Sequence, residues 1–318
     1  MSTADRRRAD SAEMRPAGSK PPEALARVAP AQRALAVLAG LMCLPYMVLK
    51  IAWLSGSRIG LNDPEFGTSS AMYVLNLLTG LLDVVALGLA VVFFTRRGAR
   101  APAWLVLPPM WIGAGLLGQV LLALPYALVQ QALTSPALGN AQAPPIAGWV
   151  FGMVYGGFAG MGIGLLGAFA IYAWRRWGRR PAPPLTALSR GALIAASALA
   201  AGAGLVHLAG SDHPLGNRLQ DLTLALVAAG GLLILARPRV SAGAFRAAVV
   251  VAFVGTGALA AWGTYHGVIT LVPNELVGSA EIDWRGLGAS SLRMIAGFAG
   301  AGAMILRLQP RSTAVAAQ

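Results

Sequence analysis

Charge is the property this sequence has least of. Only 12% of its 318 residues are charged and 56% are hydrophobic, whereas soluble domains carry about 25% charged residues. A soluble fold with so few charges would lack the polar side chains needed to cover its surface. The composition therefore predicts a membrane protein.

Cysteine and the motifs of common enzymes are also scarce. Cys43 is the single cysteine, which excludes an intramolecular disulfide and a cysteine-based metal site. The chain has no Walker A sequence, no Gly-x-Ser-x-Gly elbow, no His-Glu-x-x-His, and no glycine fingerprint opening a soluble βαβ unit. We therefore predict no catalytic residue, no metal and no cofactor, and the sequence leans away from an enzyme.

Long apolar runs are what the chain has in abundance. A membrane-spanning helix needs about 20 residues, because it rises ~1.5 Å per residue through ~30 Å of hydrocarbon. Eight runs are long enough, so we predict an all-α polytopic membrane protein with eight transmembrane helices. The predicted spans are 34–54, 71–94, 103–125, 147–174, 192–210, 219–236, 247–271 and 287–306.

The basic residues alternate with these spans. Of the 25 Lys and Arg residues, 20 lie in the segments on one side, three lie on the other, and Lys50 and Arg293 lie inside spans. The positive-inside rule then predicts a plasma-membrane protein with both termini in the cytoplasm. The net charge of +13 is thus spread over loops that face lipid headgroups, so we predict contact with the bilayer and none with nucleic acid.

An internal repeat divides the spans into two groups of four. Phe158-Ala-Gly-Met-Gly162 matches Phe298-Ala-Gly-Ala-Gly302, and Gly113-Ala-Gly115 matches Gly255-Thr-Gly257. An even number of spans per repeat gives both halves the same orientation in the membrane. The predicted organisation is a disordered cytoplasmic tail at 1–33, a first four-helix half at 34–174, a basic linker at 175–191, a second half at 192–307 and a short cytoplasmic tail at 308–318.

An ionisable residue within a span costs at least ~2.5–3.5 kcal/mol on insertion scales, and Asp83 is the sharpest case. It lies near the middle of the second span, and Asn76 and Thr79 share its helix face at spacings of i, i+3 and i+7. One interpretation is a carboxylate linked to a proton or cation. The other, favoured about two to one, is a structural carboxyl that is neutral or hydrogen-bonded to a neighbouring helix.

The remaining polar residues lie in the outer half of the predicted membrane. Snorkelling to the headgroups is the simplest interpretation of Lys50 and Arg293, and a Lys50–Asp83 pair would need tilt or a bridging water, since Asp83 lies ~10 Å deeper. His207 and His266 could face each other and ligate a haem, but satisfied polar side chains are favoured. The layer is either a solvated vestibule or, preferably, a set of independent residues: Lys50, Asn76, His207, Asp221, His266 and Arg293.

One stretch carries a resemblance. Pro45-Tyr46 followed by Leu49-Lys50-x-x-Trp53-x-x-Gly56-x-x-x-Gly60 resembles a pattern in multi-pass membrane proteins of high-GC Gram-positive bacteria, a group with no established activity. The resemblance implies a membrane location and no particular chemistry. Three functions follow as hypotheses: a small-solute or ion-coupled transporter-like protein, a non-catalytic accessory or envelope component, and a membrane redox protein using His207 and His266.

Overall fold

The computed structural model describes residues 28–63, 65–133, 145–210, 215–272 and 282–309. Eight α-helices make up most of these residues, with one 3-10 turn at Gly98–Arg100 and an isolated bridge between Leu61 and Ile146. The helices are α1 Pro30–Leu54, α2 Ser70–Phe94, α3 Ala103–Leu133, α4 Gly148–Trp177, α5 Ala187–Gly210, α6 Leu215–Leu235, α7 Ala242–Leu271 and α8 Trp284–Leu308.

All eight helices are long and apolar enough to cross a membrane, so the predicted all-α, eight-span fold is confirmed. Most of them begin or end a few residues beyond the predicted apolar run; α5 and α7, for example, each begin five residues earlier. The extra turns of α5 and α7 each carry an arginine, Arg190 and Arg246, and the helix continues because a charged side chain can be solvated beyond the hydrocarbon. The chain is a multi-pass integral membrane protein.

The two predicted tails fall largely outside the described residues. Residues 1–27 and 310–318 are not described, so the predicted disorder of those segments stays a prediction. Between the halves, α4 ends at Trp177 and α5 begins at Ala187, which leaves 178–186 as the connecting segment.

Each half forms the same cyclic arrangement of helices. In the first half α1 contacts α2 and α4, and α3 contacts α4 and, more sparsely, α2. In the second half α5 contacts α6 and α8, and α7 contacts α6 and α8. This shared order agrees with the four-plus-four repeat.

The halves meet where α3 packs on α7. A Cβ placed at Gly115 would collide with the backbone of Gly257, and a Cβ at Gly257 would collide with the carbonyl of Trp111. Glycine at both positions lets the two backbones approach closely, as is common between membrane helices. The Trp111 indole also donates a hydrogen bond to Thr256 Oγ1 at 3.0 Å across this contact.

In α4 and α8 the spacing of the buried positions differs by one residue from the spacing of the sequence match. Most buried positions of these helices match at a spacing of 139 residues, for example Gly164 with Ala303 and Leu165 with Met304. The sequence match of the two Phe-Ala-Gly segments has a spacing of 140, and Phe298 is 52% exposed. Packing determines which faces are equivalent, so identical letters on Ala/Gly-rich helices do not set the register of the two halves, and the predicted repeat stays a prediction.

The basic segments gather at one end of the bundle. Arg176 donates to the carbonyl of Ala101, and Arg307 donates to the carbonyls of Leu235 and Pro183. These bonds tie the ends of α4 and α8 to the loops beside them. At the opposite end, Asn62 N donates to Pro145 O, so the loop after α1 meets the loop before α4.

Candidate functional site

The first helices of the two halves bury their side chains in the same register. Five of the six buried positions of α1 have a buried counterpart 157 residues later in α5. Lys50 and His207 are one of these pairs, so each half places a basic side chain at an equivalent position. The other pairs are Gln32 with Ser189, Ala36 with Leu193, Ala39 with Ala196, and Cys43 with Ala200.

The first half joins Lys50 to Asp83. Lys50 Nζ lies 3.2 Å from Asp83 Oδ2, and the two side chains are 2% and 5% exposed. The ammonium group also lies 4.0 Å from the centre of the Tyr46 ring, a cation–π contact that partly replaces hydration. Cys43 Sγ donates to the backbone carbonyl of Asp83 at 3.4 Å.

This direct pair differs from the snorkelling expected for Lys50. Snorkelling requires an ammonium group that reaches water, whereas Lys50 is 1% exposed. The long lysine stem spans the difference in depth by extending inward along α2, and its Cδ would lie 3.8 Å from a Cβ at Gly80. A small residue on α2 therefore makes room for the stem.

Three side chains surround Asp221 in the second half, two from that half and one from α3 of the first half. Both Arg293 guanidinium Nη atoms donate to the carboxylate, at 3.0 Å to Oδ2 and 2.9 Å to Oδ1. His207 Nε2 lies 2.9 Å from Oδ2, and Gln119 Nε2 donates to Oδ1 at 3.0 Å. Arg293 is 1% exposed, so it does not snorkel but binds a carboxylate in the bidentate geometry that guanidinium favours.

The carboxylates of the two halves differ in depth by one helical turn. Buried residues of α2 and α6 match at a spacing of 142, including Asp83 with Ala225 and Phe93 with Leu235. At that spacing Asp221 corresponds to Thr79, four residues or ~6 Å nearer the outer end. The short side chain of His207 therefore contacts a carboxylate at its own depth, that of Asp221. The longer side chain of Lys50 contacts a carboxylate that lies one turn deeper.

Thr79 and Asn76 share the face of Asp83 but take no part in its ion pair. Both are half-buried, and the Thr79 hydroxyl donates to the carbonyl of Leu75 in its own helix at 2.8 Å. This local bond satisfies a hydroxyl in an apolar setting. Thr79 therefore has a structural role in this conformation.

His266 packs against aromatic residues of its own helix, α7. The ring centroids of Trp262 and Tyr265 lie 5.5 and 5.8 Å from that of the imidazole. The buried ion pairs include four members of the polar layer, which are therefore not independent residues: Lys50, His207, Asp221 and Arg293.

Two residues that contact these ion pairs were not among the site residues predicted from the sequence. Gln119 belongs to α3 of the first half and crosses to Asp221 of the second, while Tyr46 packs against Lys50. A polar amide in the middle of an apolar span was a usable signal for Gln119. The spacing of four residues between Tyr46 and Lys50 on one helix was a usable signal for their contact.

The arrangement holds basic and acidic side chains together within the membrane. Each carboxylate lies beside a basic side chain, which offsets much of the cost of burying it. His207 is a further neighbour of Asp221. Comparison with protein-family models, with curated proteins and with solved structures finds no match.

Proposed function

We propose that this protein is an ion-coupled transporter of a small solute, in which rearrangement of buried ion pairs accompanies passage of the solute. The observation that carries the proposal is the Lys50–Asp83 pair, 3.2 Å apart and shielded from solvent inside the bundle. Ionisable residues buried within spans commonly belong to substrate or proton pathways. The resemblance to membrane proteins of high-GC Gram-positive bacteria adds a location and no activity.

The two-half architecture supports the same proposal. Transporters of repeated design place their sites at mid-membrane depth and alternate access by moving one half against the other. Here the halves contact mainly through α3 and α7, a narrow seam about which they can move. The ion pairs lie on helices close to that seam. Lys50 and Asp83 belong to α1 and α2, and Asp221 and Arg293 belong to α6 and α8.

Flux across a reconstituted membrane tests the proposal. Proteoliposomes loaded with a pH-sensitive dye are exposed in turn to amino acids, sugars, carboxylates, organic cations and alkali ions. We expect at least one class to drive a pH change with the wild-type protein. Asp83→Asn should abolish that change, while Asp63→Asn in an exposed loop should retain it. Absence of flux with every class, or equal flux in Asp83→Asn, would overturn the proposal.

A second candidate is a non-catalytic membrane component whose polar groups serve only packing. The three side chains that contact Asp221 favour it, since buried polar networks rigidify a core. This candidate predicts that Asp83→Leu combined with Lys50→Met is tolerated, and that a stable partner copurifies with the protein.

The redox candidate receives less support. Haem ligation would require a ring nitrogen of His207 and one of His266 to face a common iron, and His207 Nε2 instead faces Asp221 at 2.9 Å. An absorption spectrum of the purified protein tests it directly, because a bound haem gives a Soret band.

We also propose a plasma-membrane location with both termini in the cytoplasm. The basic loops gathered at one end of the bundle support that orientation. A reporter that is active only in the cytoplasm should be active when it is fused after Arg180. Activity of an exterior-specific reporter at that point would reverse the topology.

A further inference from the structure

On one side of the bundle the two halves meet through side chains of α4 and α7. The rings of Phe169 and Phe253 stack with their centroids 5.6 Å apart. Nearer the basic end, the Arg246 guanidinium carbon lies 5.1 Å from the centre of the Trp174 ring. The backbones of the two helices otherwise make little contact with each other. An interhelical groove therefore runs between α4 and α7, with these four side chains along it.

We term this space the seam groove, and its sides are exposed to lipid. Trp174 is 59% exposed, and Val250, one turn along α7 from Arg246, is 62% exposed. Ala170, one turn before Trp174 on α4, is also exposed, and its small side chain fills little of the groove. Trp174 and Arg246 lie within about a turn of the ends of their helices. The groove is therefore apolar at hydrocarbon depth and cationic at headgroup depth.

No described carboxylate balances the positive charge of Arg246. Its guanidinium forms no ion pair with any acidic residue of the described part of the chain, and a cation–π contact uses none of its N–H donors. The described acidic residues lie inside spans or at the opposite end of the bundle: Asp63, Glu65, Asp83, Asp221 and Asp283. The basic end of the groove is therefore complementary to a negatively charged group.

Other arginines at this end hold the protein together instead. Arg176 and Arg307 donate to backbone carbonyls of neighbouring segments. At the spacing of 142 residues that matches α3 with α7, the counterpart of Arg246 in the first half is Trp104. The four-helix plan therefore does not require an arginine at this level, and Arg246 is free of the backbone ties that occupy its neighbours.

We propose that the seam groove binds an anionic phospholipid of the leaflet at the basic end. Arg246 donates to the phosphate, since guanidinium matches phosphate oxygens in a bidentate geometry, and an acyl chain lies against Phe169, Val250 and Phe253. Basic pockets between transmembrane helices suit such headgroups. Because α4 belongs to the first half and α7 to the second, the bound lipid contacts both halves. The inference does not depend on the transport activity proposed above.

Native mass spectrometry of the detergent-purified protein tests the groove. The protein is titrated with phosphatidylglycerol and, separately, with phosphatidylcholine of the same acyl chains. The buffer is about 0.2 M ammonium acetate, in which exposed charges more than ~8 Å apart are largely screened. We expect the first phosphatidylglycerol to bind about fivefold more tightly, the factor that one arginine contributes near an anionic lipid. Equal affinities of the wild-type protein for the two lipids would overturn the proposal.

Two variants make the same change of charge at the same end of the bundle. Arg246→Gln should weaken the binding of phosphatidylglycerol about fivefold and leave that of phosphatidylcholine unchanged. Arg190→Gln is the matched control, because Arg190 is exposed on α5, which packs mainly on α6 and α8. It should change neither affinity. An equal loss in the two variants would show that the arginines attract lipid diffusely, and would remove the site.

Thermal unfolding gives a second readout, because a lipid that contacts both halves should stabilise them. Phosphatidylglycerol should raise the Tm of the wild-type protein and of Arg190→Gln by more than that of Arg246→Gln. Glycerol phosphate, which has the anionic group without acyl chains, should leave all three unchanged at the same concentration. A rise with glycerol phosphate as large as that with the lipid would show that a free anion occupies the groove, and would overturn the proposal.

Discussion

In the first half of the molecule one lysine pairs with the buried carboxylate of Asp83, whereas in the second half three side chains contact the carboxylate of Asp221. The second half is also packed more closely: 39–56% of the most apolar window of each span is buried, against 22–39% in the first half. The same four-helix plan therefore carries a single buried ion pair in one copy and a network in the other. The pair with a single partner is the more vulnerable to a substitution.

The largest expected effect comes from Lys50→Met. It leaves Asp83 buried without its cation, and removing one partner of a buried ion pair costs about 3–5 kcal/mol. Unfolding of the detergent-purified protein measures this loss. The double variant Lys50→Met/Asp83→Leu should recover most of it, and a double variant as unstable as the single one would show that the charge pairing is not the cause.

Arg293→Met should have a smaller effect, of about 2–3 kcal/mol, because His207 and Gln119 still contact Asp221. Thermal unfolding of the purified protein measures this loss. A loss equal to that of Lys50→Met would erase the contrast between the halves.

Gly115→Ala tests the seam between the halves. Its Cβ would meet the backbone of Gly257, and overpacking of this kind costs about 1–2 kcal/mol. The matched control is Gly113→Ala, where a Cβ meets nothing within 4 Å. Equal thermal stability of the two variants would show that the halves are not held at this point.

The smallest expected effect is that of Gln119→Leu, which removes one hydrogen bond to Asp221 and costs about 1 kcal/mol. Because Gln119 comes from the first half, the variant also removes a side-chain contact between the halves. Thermal unfolding of the purified protein should show this slight fall in stability. A loss as large as that of Arg293→Met would show that the contribution of Gln119 is larger than one hydrogen bond.

The sequence predicted the fold better than the site. Spans such as 71–94 and 103–125 were recognisable because hydrocarbon demands about 20 apolar residues in any context. Asp83 and Arg293 were recognisable because a charge within such a run is rare. The pairing of these charges was left open, since Lys50 and Arg293 have long side chains that can reach either the headgroups or a neighbouring helix, and sequence spacing does not decide between the two.

By itself, then, the sequence determined that this chain enters a membrane as eight helices in two similar groups. Whether a segment can cross the lipid depends on the length and polarity of that segment alone. Only the tertiary structure decided which charges meet. Pairing depends on helix rotation and relative depth, so a one-turn shift of Asp221 relative to Asp83 gives one half a lysine pair and the other a histidine and arginine network.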